Sequence, residues 1–275
     1  MEPSPLCGGG CPAEPGGRGD DASGEAAIFM KSATWIGVAL PLSRPLLTQG
    51  PPSPAEGGGL RWSLINGLRC KEIPKVKVYG DMMSGNCLKV RYVADHLGLA
   101  YDWIPVDIMK GESRTPEYLA RFPAGQVPGV EFPDGRCLAQ SNAIIRYLAR
   151  GSTLLPDDTW TQARIDEWLF WEQYNHEPTI AVCRFHMRYR GEPAETRDPK
   201  KVAGGEAALD RMERHLTTAA WFVGDAVSIA DVALFAYTQF ADEGGFDLSG
   251  RPAIRAWLTR CGDALPTSAT VAGVA

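Results

Sequence analysis

The chain has 275 residues, of which 44% are apolar, 9% aromatic and 22% charged, enough hydrophobic material for one large or two medium domains. A formal net charge of -5 and a pI near 5.5 exclude the basic footprint of a nucleic-acid-binding protein. Seven Cys at irregular spacings give neither a disulfide framework nor a zinc pattern, so a reducing, cytoplasmic setting is expected.

Residues 1–74 are a different material from the rest. Clusters such as Gly8-Gly9-Gly10, Pro51-Pro52 and Gly57-Gly58-Gly59 forbid regular elements and supply little to bury. They read as a disordered leader, or as translation assigned from a start upstream of the true one. Cys7 and Cys11 fall in this coil, where a metal or redox role is not expected. The apolar island at 28–47 is broken by Pro41 and Pro45 and has no small-residue cleavage site close behind it. It makes a poor signal sequence and no membrane span.

Order is expected from Lys75. Val76, Val78 and Tyr79 make a short strand, 80–85 a loop and 86–97 a helix. Val90, Val93, Ala94 and Leu97 share one face of that helix, and Gly98 stops it. Residues 101–108 are rich in β-branched and aromatic side chains and form a second strand, parallel to the first in a βαβ unit. A short helix at 116–122 follows. Val130-Glu131-Phe132 and Arg136-Cys137-Leu138 flank the tight turn Pro133-Asp134-Gly135 as a β-hairpin. Gln140-Ser141-Asn142 then opens a helix through Arg150, with Ser141 as its N-cap and Ile144, Ile145, Tyr147 and Leu148 as its apolar face. This order of elements is that of an α/β thioredoxin-like domain over 75–150.

Residues 151–158 form a linker by composition, and the rest is helical, an all-α domain over 159–265. A long helix at 159–184 carries Trp168, Phe170, Trp171 and Tyr174 and is expected to kink or break at Pro178. The helix at 199–216 puts Val202, Leu209, Met212 and Leu216 on one face. Ser228 and Asp231, three apart before 232–240, form a capping box with Asp in place of the usual Glu. A last amphipathic helix covers 251–265, and 266–275 reads as a frayed tail.

The chemistry-bearing candidates are few. Phosphate loops and a nucleophile elbow are absent, and the four His show no metal-binding arrangement, so no metal is expected. Ser84 enters the first helix straight after the first strand, over unpaired amides at the positive end of the helix dipole. A free thiol has a pKa of about 8.5, and lowering it by roughly two units requires about 2.7 kcal/mol of preference for the thiolate. A hydroxyl donor and a helix N-terminus each contribute roughly 1–3 kcal/mol to such a preference. The alternative is that Ser84 merely caps the helix. Cys87, one turn inside, reads as a buried small apolar residue. A cis Val127-Pro128 bond would offer an unpaired strand edge to a peptide ligand; the alternative is an ordinary trans proline at an edge strand. Gln140 and Ser141 suit a carboxylate, or else serve as a simple cap.

Together Ser84–Arg91 (SGNCLKVR), Gln126–Gly129 (QVPG), Gln140–Tyr147 (QSNAIIRY), Leu154-Leu155-Pro156 and Ser228–Asp231 (SIAD) resemble the cytosolic glutathione S-transferases of the bacterial type, over roughly 76–265. The resemblance implies glutathione as co-substrate in the first domain and a small electrophile held against the helical domain. It implies that Ser84 activates the thiol, that Val127 and Pro128 hold the peptide, and that Gln140 and Ser141 bind the γ-glutamyl group. Gln140 stands where many members carry Glu. A cytoplasmic homodimer without membrane attachment is also implied. Residues 172–185 resemble a stretch of one bacterial subgroup, which puts Tyr174, His176 and Arg184 near the acceptor site. Two rivals stay open: a glutathione-dependent disulfide reductase or peroxidase, and a non-catalytic assembly module.

Overall fold

The structure, a computed structural model, describes residues 74–265. The expectations for the leader, its apolar island and the C-terminal tail lie outside the described residues.

Alternation builds the sheet. In β1 (Val76–Gly80), Val76 and Val78 point one way and are buried, while Tyr79 points to the opposite face. β1 pairs in parallel with β2 (Tyr101–Pro105) and antiparallel with β3 (Gly129–Glu131), which pairs antiparallel with β4 (Cys137–Ala139). The order is β2-β1-β3-β4. The β2 strand stops at Pro105, three residues short of the expected end, because Asp107 instead folds into a turn with Met109 and Lys110. The hairpin forms as expected, with Gly135 at φ 83° in its turn and Val130 opposite Leu138.

Helices cover both faces of the sheet. α1 (Gly85–His96) and α3 (Ser141–Leu148) pack their apolar faces on Val76, Val78 and Val130. On the other face α2 (Pro116–Arg121) and the residue after it bring Tyr118 and Phe122 against Tyr79. The Phe122 ring lies so close to β3 that a Cβ on Gly129 would sit 2.5 Å from it, which excludes any side chain there. Tyr147, expected in the apolar face of α3, is instead 44% exposed; Ile144, Ile145 and Leu148 carry the burial.

The helical part begins with α4 (Thr159–Trp171), capped by Asp158. Pro178 does not break it. The helix widens into π-helical turns over Glu172–Ala181, passes through α5 (Val182–Arg184) and ends in further π turns at Phe185–Tyr189. A wider turn moves the carbonyl that a proline ring would strike, so the chain bends around Pro178 without ending. α6 (Pro199–Leu216), α7 (Ile229–Thr238) and α8 (Pro252–Ala264) complete the bundle.

α7 is buried along its whole length, and the capping box expected at its start is present. Asp231 is fully buried and accepts from the Ser228 amide at 3.0 Å, the Ser228 hydroxyl at 2.9 Å, the Phe222 amide at 3.0 Å and Trp257 Nε1 at 3.0 Å. One carboxylate thus ties three segments of the bundle together. A single apolar core runs from the sheet through α1 and α3 into α4, α6, α7 and α8, so the two domains share their packing. Among the described residues no helix is long and apolar enough to cross a membrane.

Candidate active site

Where the α/β domain meets the long bent helix and α7, the fold encloses a cavity of about 590 Å³. Ser84, Val127, Pro128, Gln140 and Ser141, named from separate places in the sequence, all line it. Strand ends and helix starts converge there because β1, β3 and β4 run side by side, and β1 and β4 end at the same edge at which the antiparallel β3 begins.

Ser84 occupies the N-cap position of α1 with an extended backbone, φ -76° and ψ 120°. Its carbonyl accepts from the Cys87 and Leu88 amides at 3.0 and 2.9 Å, but its side chain caps no amide of the helix. The capping alternative is therefore set aside, and the hydroxyl is available for other work. The preceding loop is held by an Asp81 carboxylate that accepts from the Met83 amide at 2.8 Å and from the Tyr189 hydroxyl at 2.8 Å. Arg184 donates from Nη1 to the Met83 carbonyl and from Nε to Glu243 at 2.7 Å. Thus the helical domain fixes the loop that presents Ser84.

The Val127-Pro128 bond is cis. The Val127 main chain has no hydrogen-bond partner among the described residues, while the Gln126 carbonyl accepts from the Tyr118 hydroxyl at 2.7 Å. Gln140 sits at φ 70° and ψ 111°, the one non-glycine residue at positive φ among the described residues. Such a backbone costs about 1–3 kcal/mol and persists only where the surroundings over-determine it. Ser141 is not the N-cap expected of it. Gln140 takes that position, and Ser141, the first helical residue, donates its hydroxyl proton to Asn86 Oδ1 at 3.0 Å. It is buried and tied to α1 instead of to its own helix.

Behind Ser141 lies an ion pair that the sequence did not announce. Lys89 and Glu172 are both wholly buried, with Nζ 2.9 Å from each carboxylate oxygen. Asn142 joins them, accepting from Lys89 at 3.2 Å and donating to Glu172 at 3.0 Å.

The bent helix supplies the facing wall. Gln173 and Glu177, one turn apart, line the cavity, and Asn86 donates to Glu177 at 3.2 Å. Burial, and then the nearby Glu172 charge, push the Glu177 carboxyl above its ordinary range. Of the three residues expected near an acceptor pocket, only Arg184 lines the cavity. Tyr174 is 84% exposed, and His176 is buried against the Thr238 hydroxyl at 2.9 Å, its pKa lowered to about 4 by burial. Cys87 is the buried apolar residue expected, its thiol pushed up to about 12 by burial. Tyr237, Tyr189 and Arg114 also line the cavity, and sequence reading missed them.

Two family models match the chain: glutathione S-transferase, N-terminal domain, over residues 74–150, and glutathione S-transferase, C-terminal domain, over residues 184–260. A glutathione S-transferase structure from Pseudomonas fluorescens Pf-5 is similar at 49% identity and a TM-score of 0.66, covering 67% of this chain and 93% of that one. A possible glutathione S-transferase from Rhodopseudomonas palustris is similar at 42% identity and a TM-score of 0.66, covering 69% and 94%. The glutathione S-transferase-like protein LUC7 of a Fusarium species is 34% identical over 197 residues, 68% of this chain and 88% of that protein. A thioredoxin-like sheet and a helical bundle built on one core, matched over both parts, place the chain in the glutathione S-transferase family.

Proposed function

We propose that the protein is an enzyme that ionises the thiol of glutathione and directs the thiolate at a small electrophile. The observation that carries this reading is the convergence of five separately coded residues on one cavity, with the Ser84 hydroxyl at the start of α1 released from capping. In this reading Gln140, Ser141 and the N-terminus of α3 receive the γ-glutamyl carboxylate, and Val127 pairs with the cysteinyl main chain. Arg114 lines the cavity beside Gly125, donates to the Ala124 carbonyl at 3.2 Å and makes no ion pair among the described residues, which suits the glycyl carboxylate. Ser84 then donates to the sulfur, whose charge is also favoured by the helix dipole. The electrophile lies against Val182, Phe185 and Tyr189, so both reactants are held in line.

The buried state of Cys87 favours conjugation over disulfide or peroxide reduction, because a thiol held near 12 supplies almost no thiolate at neutral pH. Calorimetric titration with glutathione, followed by a conjugation assay with an aryl halide, tests the reading. We expect binding below millimolar concentration and a thioether product. No heat at millimolar glutathione removes the reading, and binding without product leaves a glutathione-holding module.

The proposal includes a homodimer. Phe170 and Tyr174, four apart on one side of the long helix, are 75% and 84% exposed, an unusual display of large rings. Light scattering at several concentrations is expected to return twice the chain mass. A Phe170→Glu/Tyr174→Glu variant is expected to return the monomer, and a wild-type monomer at micromolar concentration rejects the pairing.

A further inference from the structure

The turn that carries Ser84 is held at two points by the last stretch of the bent helix. Asp81 opens this turn. Its carbonyl accepts from the Ser84 amide at 3.1 Å, and its Oδ1 accepts from the Met83 amide at 2.8 Å. Those bonds are local and set the shape of the turn. Its placement comes from the helical domain. The Tyr189 hydroxyl donates to Asp81 Oδ2 at 2.8 Å, and Arg184 Nη1 donates to the Met83 carbonyl. Arg184 is itself anchored, with Nε 2.7 Å from Glu243 and the guanidinium 4.6 Å from the centre of the Phe240 ring.

Tyr189 also has a second contact. Its ring stacks on Phe185, with centroids 5.1 Å apart and 29° between the planes. Both rings line the cavity, in the part proposed for the electrophile. One side chain therefore meets the acceptor with its ring and the Ser84 turn with its hydroxyl. The direction of the hydroxyl bond is fixed, because an ionised carboxylate only accepts. A hydrogen bond to a charged acceptor is roughly twice as strong as a neutral one, so this bond is the firmest of those that the helical domain makes to Asp81.

We propose that Tyr189 is a positioning residue for thiol activation: by holding Asp81 it seats the 81–84 turn so that the Ser84 hydroxyl faces the glutathione sulfur. The inference rests on the function proposed above. Burial, and then the bond to Asp81, hold the phenol above its ordinary range, so it stays a donor wherever a thiol ionises. Asp81 from the turn, Tyr237 from α7 and Arg184 from the same bent helix are the titratable or charged groups facing it. Cys87 from α1 faces Asp81, accepting from its amide at 3.4 Å. The wall of the acceptor pocket thereby takes part in ionising the thiol, through a bond that crosses the domain boundary.

Tyr189→Phe keeps the ring on Phe185 and removes only the hydroxyl. The probe is glutathione itself, with the bound thiol titrated by thiolate absorbance and conjugation of an aryl halide followed against pH. We expect the bound thiol pKa to rise by about one unit, kcat at pH 6.5 to fall about five-fold and the deficit to close by about pH 9.5. Because the ring stays, the KM for the halide is expected within about two-fold of wild type, and the glutathione dissociation constant at pH 6.5 within about three-fold. In the Ser84→Ala background the same substitution is expected to add no further shift. An unchanged thiol pKa in Tyr189→Phe, with or without a raised KM, overturns the inference and leaves Tyr189 as a pocket wall alone. So does an added shift in the double variant, which would mean that the phenol acts on sulfur without Ser84. A deficit that persists undiminished at pH 9.5 rejects it as well, since general loosening of the fold has no reason to vanish with pH. Wild-type protein that fails to bind glutathione overturns the functional reading along with it. Wild type that binds, beside a Tyr189→Phe profile identical to it, overturns this inference alone.

Discussion

Ser84→Ala is expected to raise the pKa of the bound glutathione thiol by roughly two units, from near 6.5 back to the free-thiol value of about 8.5. At pH 6.5 about half the bound thiol is ionised in the first case and about one per cent in the second, so turnover falls roughly fifty-fold. The loss shrinks as pH rises, because above about pH 9.5 both proteins hold thiolate. The folded-state cause is local: the hydroxyl caps nothing, lines the cavity and sits at the positive end of α1. At pH 6.5 glutathione affinity is expected to stay within about ten-fold, since the contacts proposed for Gln140, Ser141, Val127 and Arg114 are untouched. A neutral donor contributes roughly 1 kcal/mol or less (about five-fold) to binding the un-ionised thiol, and lost ionisation adds about two-fold. A thiol absorbance titration of the bound complex and a calorimetric dissociation constant separate the two effects. An unchanged thiol pKa with weakened binding would assign Ser84 to recognition and remove it from activation.

How far the sequence carried the fold depends on how local each signal was. The βαβ unit, the hairpin turn at Gly135, the stop at Gly98 and the Ser228–Asp231 box rest on side chains that act on their own backbone within a few residues. Those were legible. That Ser84, Val127, Pro128, Gln140 and Ser141 meet at one cavity was legible for the same reason, since each stands where a strand or helix begins. Ser141 was misjudged because its hydroxyl turns to Asn86, 55 residues earlier in the chain, in preference to its own helix. At Pro178 a kink or a break was expected, and the break does not occur because the local rule, that proline ends a helix, has a second solution in the π turns. Tyr237, Glu177 and Tyr189 were not seen at all, and Arg184 was placed near the site only through the resemblance. They reach the cavity only once the bundle has closed, and no short spacing encodes that.

Lys89 is the plainest case of this kind, and it carries the largest expected effect on stability. A lysine on the first helix reads as solvated, yet its side chain is wholly buried because Glu172, 83 residues later, arrives beside it. Taking both charges out of water is costly, and their attraction offsets that only while each keeps its partners. Lys89 has Glu172 at 2.9 Å, Asn142 at 3.2 Å and Ser141 at 3.5 Å; Glu172 also accepts from Gln173 at 2.9 Å. Lys89→Met leaves the carboxylate buried without its cation and is expected to cost roughly 3–5 kcal/mol. That corresponds to a fall in melting temperature on the order of 10 °C for a folded unit of this size. Lys89→Met/Glu172→Leu removes both charges, fills the space with apolar groups and is expected to regain more than half of the loss. It leaves Asn142 with only the Leu169 carbonyl, at 3.1 Å, as a partner. Ser141 keeps its bond to Asn86, so the double variant should still hold glutathione, within about ten-fold of wild type, where the single variant falls further. Denaturant midpoints of the two variants, read beside glutathione titrations, decide the matter. A double variant no more stable than Lys89→Met would mean that the residues pack as spacers, and that charge pairing is not what joins α1 to the bent helix beneath the cavity.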